Sequence, residues 1–488
     1  MSVDKFSLLS FTGKMKTLHL SWIAFFITFM VWFNMAPLKG AIVNGVGLTL
    51  SEWKTLLIIN VALTIPARVV IGALTDKFGP RIVYSTLLAI CSIPCFMFAL
   101  ADNFTQLLIA RFALGSIGAG FVVGIRMVSE WFPPKELGTA EGVYGGWGNF
   151  GSAAAAFSLP TIALLFGGEN GWRYAVGLTG LMSLAFSMVY FKNTTDTPKG
   201  STYFRPKNLG GMEVTSVKDF YLLLLMKTPM YLALALLSWK LSPGGVSLLS
   251  ETVTLLIYLG LAALYLYDAY ATYKVNKDIF VTPVAKIHQY QFKQVAVLNI
   301  LYFATFGSEL AVISMLPAFF AETFELSMST AGLLAGMYAF MNLMSRPGGG
   351  LLSDKFGRKK TLLILTAGLA LGYLCLSFID ANWPIWLAVL AVMSCSFFVQ
   401  SGEGAVFAAV PLIKRRLTGQ IAGMTGAYGN VGAVVYLTVY SLVDTSTFFL
   451  VIASTAVLGF VTLLFMQEPS GTITEVKEDG TVELIHVT

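Results

Sequence analysis

Charged side chains make up only 12% of these 488 residues, about half the share of a soluble domain. Histidine occurs three times, as His19, His288 and His486, and all three read as lying outside the apolar cores. A histidine metal site or a mid-membrane histidine proton relay is therefore not expected. The four cysteines, Cys91, Cys95, Cys375 and Cys395, fall inside apolar runs without further ligand types beside them, and read as small packing residues. The chain has no nucleotide-binding glycine loop, metal-ligand cluster or nucleophile elbow. That removes the enzyme classes built on them and leaves no cofactor to expect. The formal charge of +6 does not point to nucleic acid, because its distribution has another cause.

Apolar residues are abundant, at 56% of the chain. They are grouped in runs of about 20, the length a helix needs to cross a bilayer core. In lipid each backbone polar group must be paired within its own segment, so the runs read as helices of an all-α polytopic membrane protein. The first, from about Leu18 to Pro37, is full-length with no small-residue cleavage site after it, and is read as a spanning helix rather than a signal peptide. Six runs precede residue 193, six follow residue 294, and two more lie between, near 219–241 and 248–273. If all of them span, both termini are cytoplasmic. Nearly all lysines and arginines then face the same side, with only Lys39, Lys54, Arg173 and Lys240 outside. Basic residues flank the insert on both sides, including Lys199 and Lys218 before it and Lys274 and Lys277 after it. An even number of crossings keeps both clusters inside. Lys227 interrupts the first inserted run and leaves a surface-lying helix open as an alternative. The expected organisation is a six-helix bundle over 1–192, a cytoplasmic linker with two extra helices over 193–294, a second six-helix bundle over 295–467 and a solvated tail over 468–488, in the plasma (inner) membrane.

The two bundles are copies of one another. GALTDKFGPR at 72–81 is echoed by GLLSDKFGRK at 350–359, and Arg68 matches Arg346 at the same spacing. FFITF at 25–29 matches YFATF at 302–306. The ladder Gly142, Gly145, Gly148, Asn149, Gly151 matches Gly423, Gly426, Gly429, Asn430, Gly432. The loop motif, with Gly72, Asp76, Lys77 and Arg81 in one half and Gly350, Asp354, Lys355 and Arg358 in the other, resembles the inter-helix motif of the major facilitator superfamily. The glycine ladders resemble the paired nitrate signature of the nitrate/nitrite porter (NarK-like) family. FVVGIRMVSEWFPP at 121–134, together with the insert, is most like the cyanobacterial nitrate permeases. The resemblance covers roughly 18–192 and 295–467 and implies the major facilitator fold of two pseudo-symmetric six-helix bundles. It also implies nitrate and nitrite as cargo, carried across the bilayer by one chain acting as a monomer.

Arg68 and Arg346 are the most specific candidates. An arginine at the bilayer centre costs about 2.5–3.5 kcal/mol on insertion scales, so each should face a cavity or a partner. The repeat points both at one shared site. A guanidinium fork of donors suits a flat anion with three acceptor oxygens better than an ammonium does. Two arginines around a monovalent anion leave excess positive charge, so without substrate the pair should repel. Packing alone accounts for the glycines, since small faces let helices approach closely. It does not account for the amides of Asn149 and Asn430, which the resemblance places on the substrate path. By the same resemblance Tyr302 donates a hydrogen bond, while Phe121 and Phe306 flank the anion.

Entry of an anion against an inside-negative potential needs a driving ion or an exchanged anion. Glu309 and Glu403 lie within apolar runs and are candidates to carry a proton. Gly307-Ser308-Glu309-Leu310 resembles the proton-coupled branch of the family. Arg126 and Glu403 occupy near-equivalent repeat positions and are candidates for a gate ion pair. Arg111, with Gly115 and Gly118, resembles a fourth-helix motif of other proton-coupled facilitators. Proton-coupled import is the expected mechanism. Nitrate/nitrite exchange stays open beside it, and a nitrate receptor without transport is the remote alternative.

Overall fold

The computed structural model describes residues 6–206, 211–245, 247–285, 289–326, 328–469, 472–476 and 482–486; His288 lies outside them. The first half comprises α1 (Gly13–Trp32), α2 (Lys39–Val46), α3 (Leu50–Ala62), α4 (Thr64–Phe78), α5 (Pro80–Ala99), α6 (Phe104–Leu114), α7 (Gly120–Trp131), α8 (Pro134–Phe166) and α9 (Gly171–Asn193). The insert contributes α10 (Val217–Leu241) and α11 (Glu251–Asn276). The second half comprises α12 (Phe292–Thr323), α13 (Met328–Phe340), α14 (Asn342–Phe356), α15 (Arg358–Leu376), α16 (Ile385–Ala409), α17 (Thr418–Tyr440) and α18 (Thr445–Leu463). Among the described residues, twelve helical segments are long and apolar enough to cross a membrane, both inserted helices included. Helix α17 is not among them, because its glycines, Tyr428 and Asn430 dilute its hydropathy.

The repeat is visible in how helices stop. Gly79 (φ +88°) ends α4 and Gly357 (φ +92°) ends α14, so the glycine inside each loop motif takes a backbone turn that other residues adopt only with strain. Each half's second transmembrane helix is also broken at the equivalent place, at Leu63 between α3 and α4 and at Met341 between α13 and α14. The break lies just before the arginine in both cases. Other starts are ordinary side-chain caps, such as the Thr49–Glu52 capping box of α3 and Ser216 and Ser250 on the inserted helices.

The halves meet along two equivalent seams, α8 against α14 and α17 against α4. Glycines make this possible. A Cβ on Gly350 would collide with the Gly138 carbonyl, and one on Gly72 with the Gly419 carbonyl. The insert is a helix pair packed against α17 and α12, with Tyr428 Oη donating to the Met226 carbonyl (2.7 Å). Lys227 is buried, and its Nζ donates to Asp268 Oδ1 (2.6 Å) and Thr272 Oγ1 (2.7 Å) of α11, so the charge is matched inside the pair.

Two local expectations are corrected. His19 is buried in the first turns of α1, inside an apolar span, with Trp22 Nε1 donating to its Nδ1 (2.9 Å). The tail carries ordered pairing, as β1 (Thr472–Val476) and β2 (Val482–His486) form an antiparallel ribbon. Their alternation of apolar and polar residues is the strand pattern that a reading by charge alone passes over.

Candidate functional site

Arg68 of α4 and Arg346 of α14 are both fully buried between the halves. Arg68 Nη1 donates to the Gly426 carbonyl of α17 (2.7 Å) and its Nε to the Gly118 carbonyl (3.2 Å). Arg346 Nη2 donates to Tyr302 Oη (2.9 Å), and its Nη1 lies 2.6 Å from Glu403 Oε2 of α16. Each arginine therefore reaches the ladder of the opposite half, because a Cβ on Gly145 of α8 would stand 2.6 Å from Arg346 Nε. Gly145 and Gly426 are equivalent rungs, so the arginines and the ladders form one arrangement used twice.

Aromatic rings join the two arginines. The Phe121 ring has the Arg68 guanidinium at 5.5 Å and that of Arg346 at 5.2 Å, and Phe306 has Arg68 at 5.1 Å. Such contacts use the negative face of the ring to hold a cation where water is excluded. Phe121, Tyr302 and Phe306 lie nearly parallel, with interplanar angles of 4° and 9°. Phe407 stands edge-on to both Phe121 and Tyr302. Asn149 and Asn430 sit one helical turn beyond Gly145 and Gly426, and the Oδ1 of each is buried without a hydrogen-bond partner among the described residues. All seven expected binding residues are buried.

Two expectations change, and Glu309 gains partners. The two arginines are not equivalent in charge pairing, because Arg346 has Glu403 whereas Arg68 is held by carbonyls. Glu403 cancels one of the pair's two charges only when it is ionised. Arg126 and Glu403 do not pair with each other. Arg126 lies between Asp76 (3.5 Å) and Glu130 (3.0 Å) and donates to Tyr203 Oη and the Phe204 carbonyl. Pseudo-symmetry relates their positions without bringing them into contact. Glu309 Oε1 accepts from Asn342 Nδ2 (2.5 Å) and from Nε2 of Gln400 (3.4 Å), one turn of α16 before Glu403.

The loop motifs lock the seams. Asp76 accepts from the amides of Gly419 (2.8 Å) and Gln420 (2.7 Å), where α17 begins. Asp354 accepts from the amides of Gly138 (2.9 Å) and Thr139 (2.6 Å) of α8 and pairs with Arg358 (2.5 Å), which donates on to the Pro134 carbonyl. Asp76 satisfies orphan donors in the first turn of α17 and meets the positive end of its dipole, whereas Asp354 bonds amides one turn further into α8. Arg415 to Glu130 (3.2 Å) adds a direct ion pair between the halves. Lys77 and Lys355 are exposed outside this network, and Arg81 instead lies over the Phe191 ring. Asp354→Asn removes the charge at one seam and is expected to favour opening at this end. Labelling of cysteines introduced into the first turn of α8 should rise several-fold. An unchanged labelling rate would count against the lock.

The sequence reading missed Phe407, Tyr144 and Glu141. Phe407 had no signal beyond being one more phenylalanine. Tyr144 Oη donates to the carbonyls of Gly120 and Phe121 and so holds the aromatic platform from behind. Glu141 had a signal, an acid within the glycine ladder.

The pattern of the Major Facilitator Superfamily matches residues 21–275 and 298–486. The chain is 47% identical to the nitrate/nitrite transporter NrtP of Picosynechococcus sp., over 97% of this chain and 96% of that one. It is 46% identical to the NrtP of Nostoc punctiforme, over 95% and 94%. Among solved structures, the human organic anion transporter MFSD10 matches the fold with a TM-score of 0.62 at 12% identity, over 93% of this chain and all of that one.

Proposed function

From a chain that belongs to the Major Facilitator Superfamily and converges one arginine from each half on a shared aromatic platform, we infer a secondary transporter that imports nitrate, with nitrite as a second substrate. The observation that carries the reading is Phe121 between the two guanidiniums. A flat anion placed there meets donors in its plane and ring faces above and below, which suits an oxyanion of trigonal shape. Two arginines that stay charged would, with Glu403 ionised beside Arg346, leave one positive charge for one monovalent anion. The relatives that share nearly half of this sequence carry nitrate/nitrite transport in their names. The two equivalent seams support alternating access, in which they part at the Asp76 and Asp354 end to release the anion to the cytoplasm.

Proton coupling is the mechanism we favour, with Glu309 and Glu403 as carriers. Glu309 Oε1 accepts from Asn342 and Gln400, and its carboxyl interacts with that of Glu403, so the two acids form a pair along which a proton can pass. Glu309→Gln keeps the shape of the site but fixes it neutral. In proteoliposomes with an imposed pH gradient, uphill nitrate accumulation is expected to collapse while nitrate/nitrite exchange continues. If Glu309→Gln and Glu403→Gln both keep full gradient-driven accumulation, exchange becomes the better mechanism.

A further inference from the structure

Glu141 is 1% exposed, and neither of its carboxylate oxygens has a hydrogen-bond partner among the described residues. A carboxylate without donors is costly in a dry interior, so in this conformer the protonated form fits the site better. Glu141 lies on α8 one turn from Gly145, on the same helix face, and Gly145 and Gly142 both abut Arg346. Arg346, from α14, is the charge that bears on it. Tyr144 is the titratable neighbour on its own helix, and Glu403 of α16 lies beyond Arg346. Asp354 and Arg358 meet Gly138, one turn nearer the loop motif.

The carboxyls form a series in depth. At 1.5 Å per residue, Asn342, which holds Glu309, is about 21 Å from the loop-motif end of its helix. Arg346, which holds Glu403, is about 15 Å from that end; Glu141 precedes Gly142, which abuts the Arg346 carbonyl and Pro347, so it lies about 14 Å along the same scale with its side chain tilted towards the loop-motif end of α8. Glu309 and Glu403 belong to the second half, Glu141 to the first, and Arg346 stands between them.

We propose that Glu141 is the exit station of the proton path, taking Arg346 over from Glu403 as the anion leaves for the cytoplasm. This deepens the proton-coupled reading above and rests on it. With nitrate bound, Arg68 and Arg346 are balanced by nitrate and ionised Glu403, and Glu141 is neutral. When nitrate departs, one positive charge is left uncompensated. The O–H bond of Glu141 then breaks, its proton passes to cytoplasmic water, and the carboxylate pairs with Arg346. One proton leaves with one nitrate. After the carrier reorients, Glu403 takes the proton of Glu309, which is refilled from outside water; as nitrate binds, Glu403 passes that proton to Glu141 and, ionised again, regains Arg346.

The test compares gradient-driven nitrate accumulation with nitrate counterflow for each variant in the same proteoliposomes. Glu141→Gln is expected to lower the ratio of accumulation to counterflow at least tenfold, with Glu141→Asp restoring a substantial part. The pH dependence of nitrate half-saturation from the cytoplasmic face should flatten in Glu141→Gln alone. A wild-type ratio in Glu141→Gln overturns the inference. If Glu309→Gln and Glu403→Gln lose accumulation while Glu141→Gln keeps it, this inference fails and the coupled reading stands. If the unmodified protein shows no gradient-driven accumulation, the coupled reading fails and takes this one with it. Should Glu141→Gln lose counterflow too, recovery of both activities in Glu141→Asp supports the inference, and recovery of neither overturns it.

Discussion

Arg346→Lys is expected to lower nitrate uptake by roughly ten- to hundredfold in cells lacking their own nitrate carriers, with the protein still present in the membrane. Arginine holds Tyr302 and Glu403 with two different nitrogens and covers the Phe121 face with its plane. Lysine keeps the charge but has one compact head, so at least one charge-assisted hydrogen bond is lost. Such a bond is worth about 1.5–3 kcal/mol, and each 1.4 kcal/mol is about a factor of ten. Arg68→Lys should behave similarly, because its two carbonyl acceptors lie on different helices, α17 and the turn before α7. Uptake at the unmodified rate in either variant would remove the arginines from the site.

Gly145→Ala is expected to be nearly as damaging, and far more so than Gly426→Ala. A methyl group at Gly145 would stand 2.6 Å from Arg346 Nε, so the guanidinium must leave Tyr302 or the seam must widen. Overpacking of this kind costs roughly 1–3 kcal/mol. At Gly426 the nearest side-chain atom of Arg68 is 3.2 Å away, a contact that a small shift relieves, and alanine adds helix propensity of about 0.5–1 kcal/mol. Nitrate counterflow rates should therefore rank unmodified protein, then Gly426→Ala, then Gly145→Ala. The reverse order of the two variants would mean that the ladders do not position the arginines.

Much of this architecture was legible because the chain states it twice. The loop motif, the arginines and the ladders recur in register, and repetition separates a site from an accident. That is why Arg68, Arg346, Asn149 and Asn430 could be named before any helix was placed. Pairing was not legible. Arg126 and Glu403 correspond in the repeat, yet each faces partners set by helix rotation, which a period of 3.6 residues leaves undetermined over a single turn. Glu403 reaching Arg346 breaks a symmetry that the sequence suggests. Lys227 was ambiguous for a similar reason, because its partner Asp268 lies on the next helix, 41 residues on. Phe407 is one of 37 phenylalanines in a chain where aromatics fill most cores, and only packing distinguishes it.

The central claim is that the two arginines bind nitrate within a carrier that turns over. Nitrate counterflow measures this most directly. Purified protein is reconstituted in vesicles loaded with nitrate, and entry of labelled nitrate is followed with no pH gradient imposed. The account predicts rapid entry that external nitrite suppresses and external sulfate does not, and loss of most of that entry in Arg68→Lys and Arg346→Lys. Folded protein that gives no nitrate counterflow, or gives it equally well with both arginines replaced by lysine, would contradict the account.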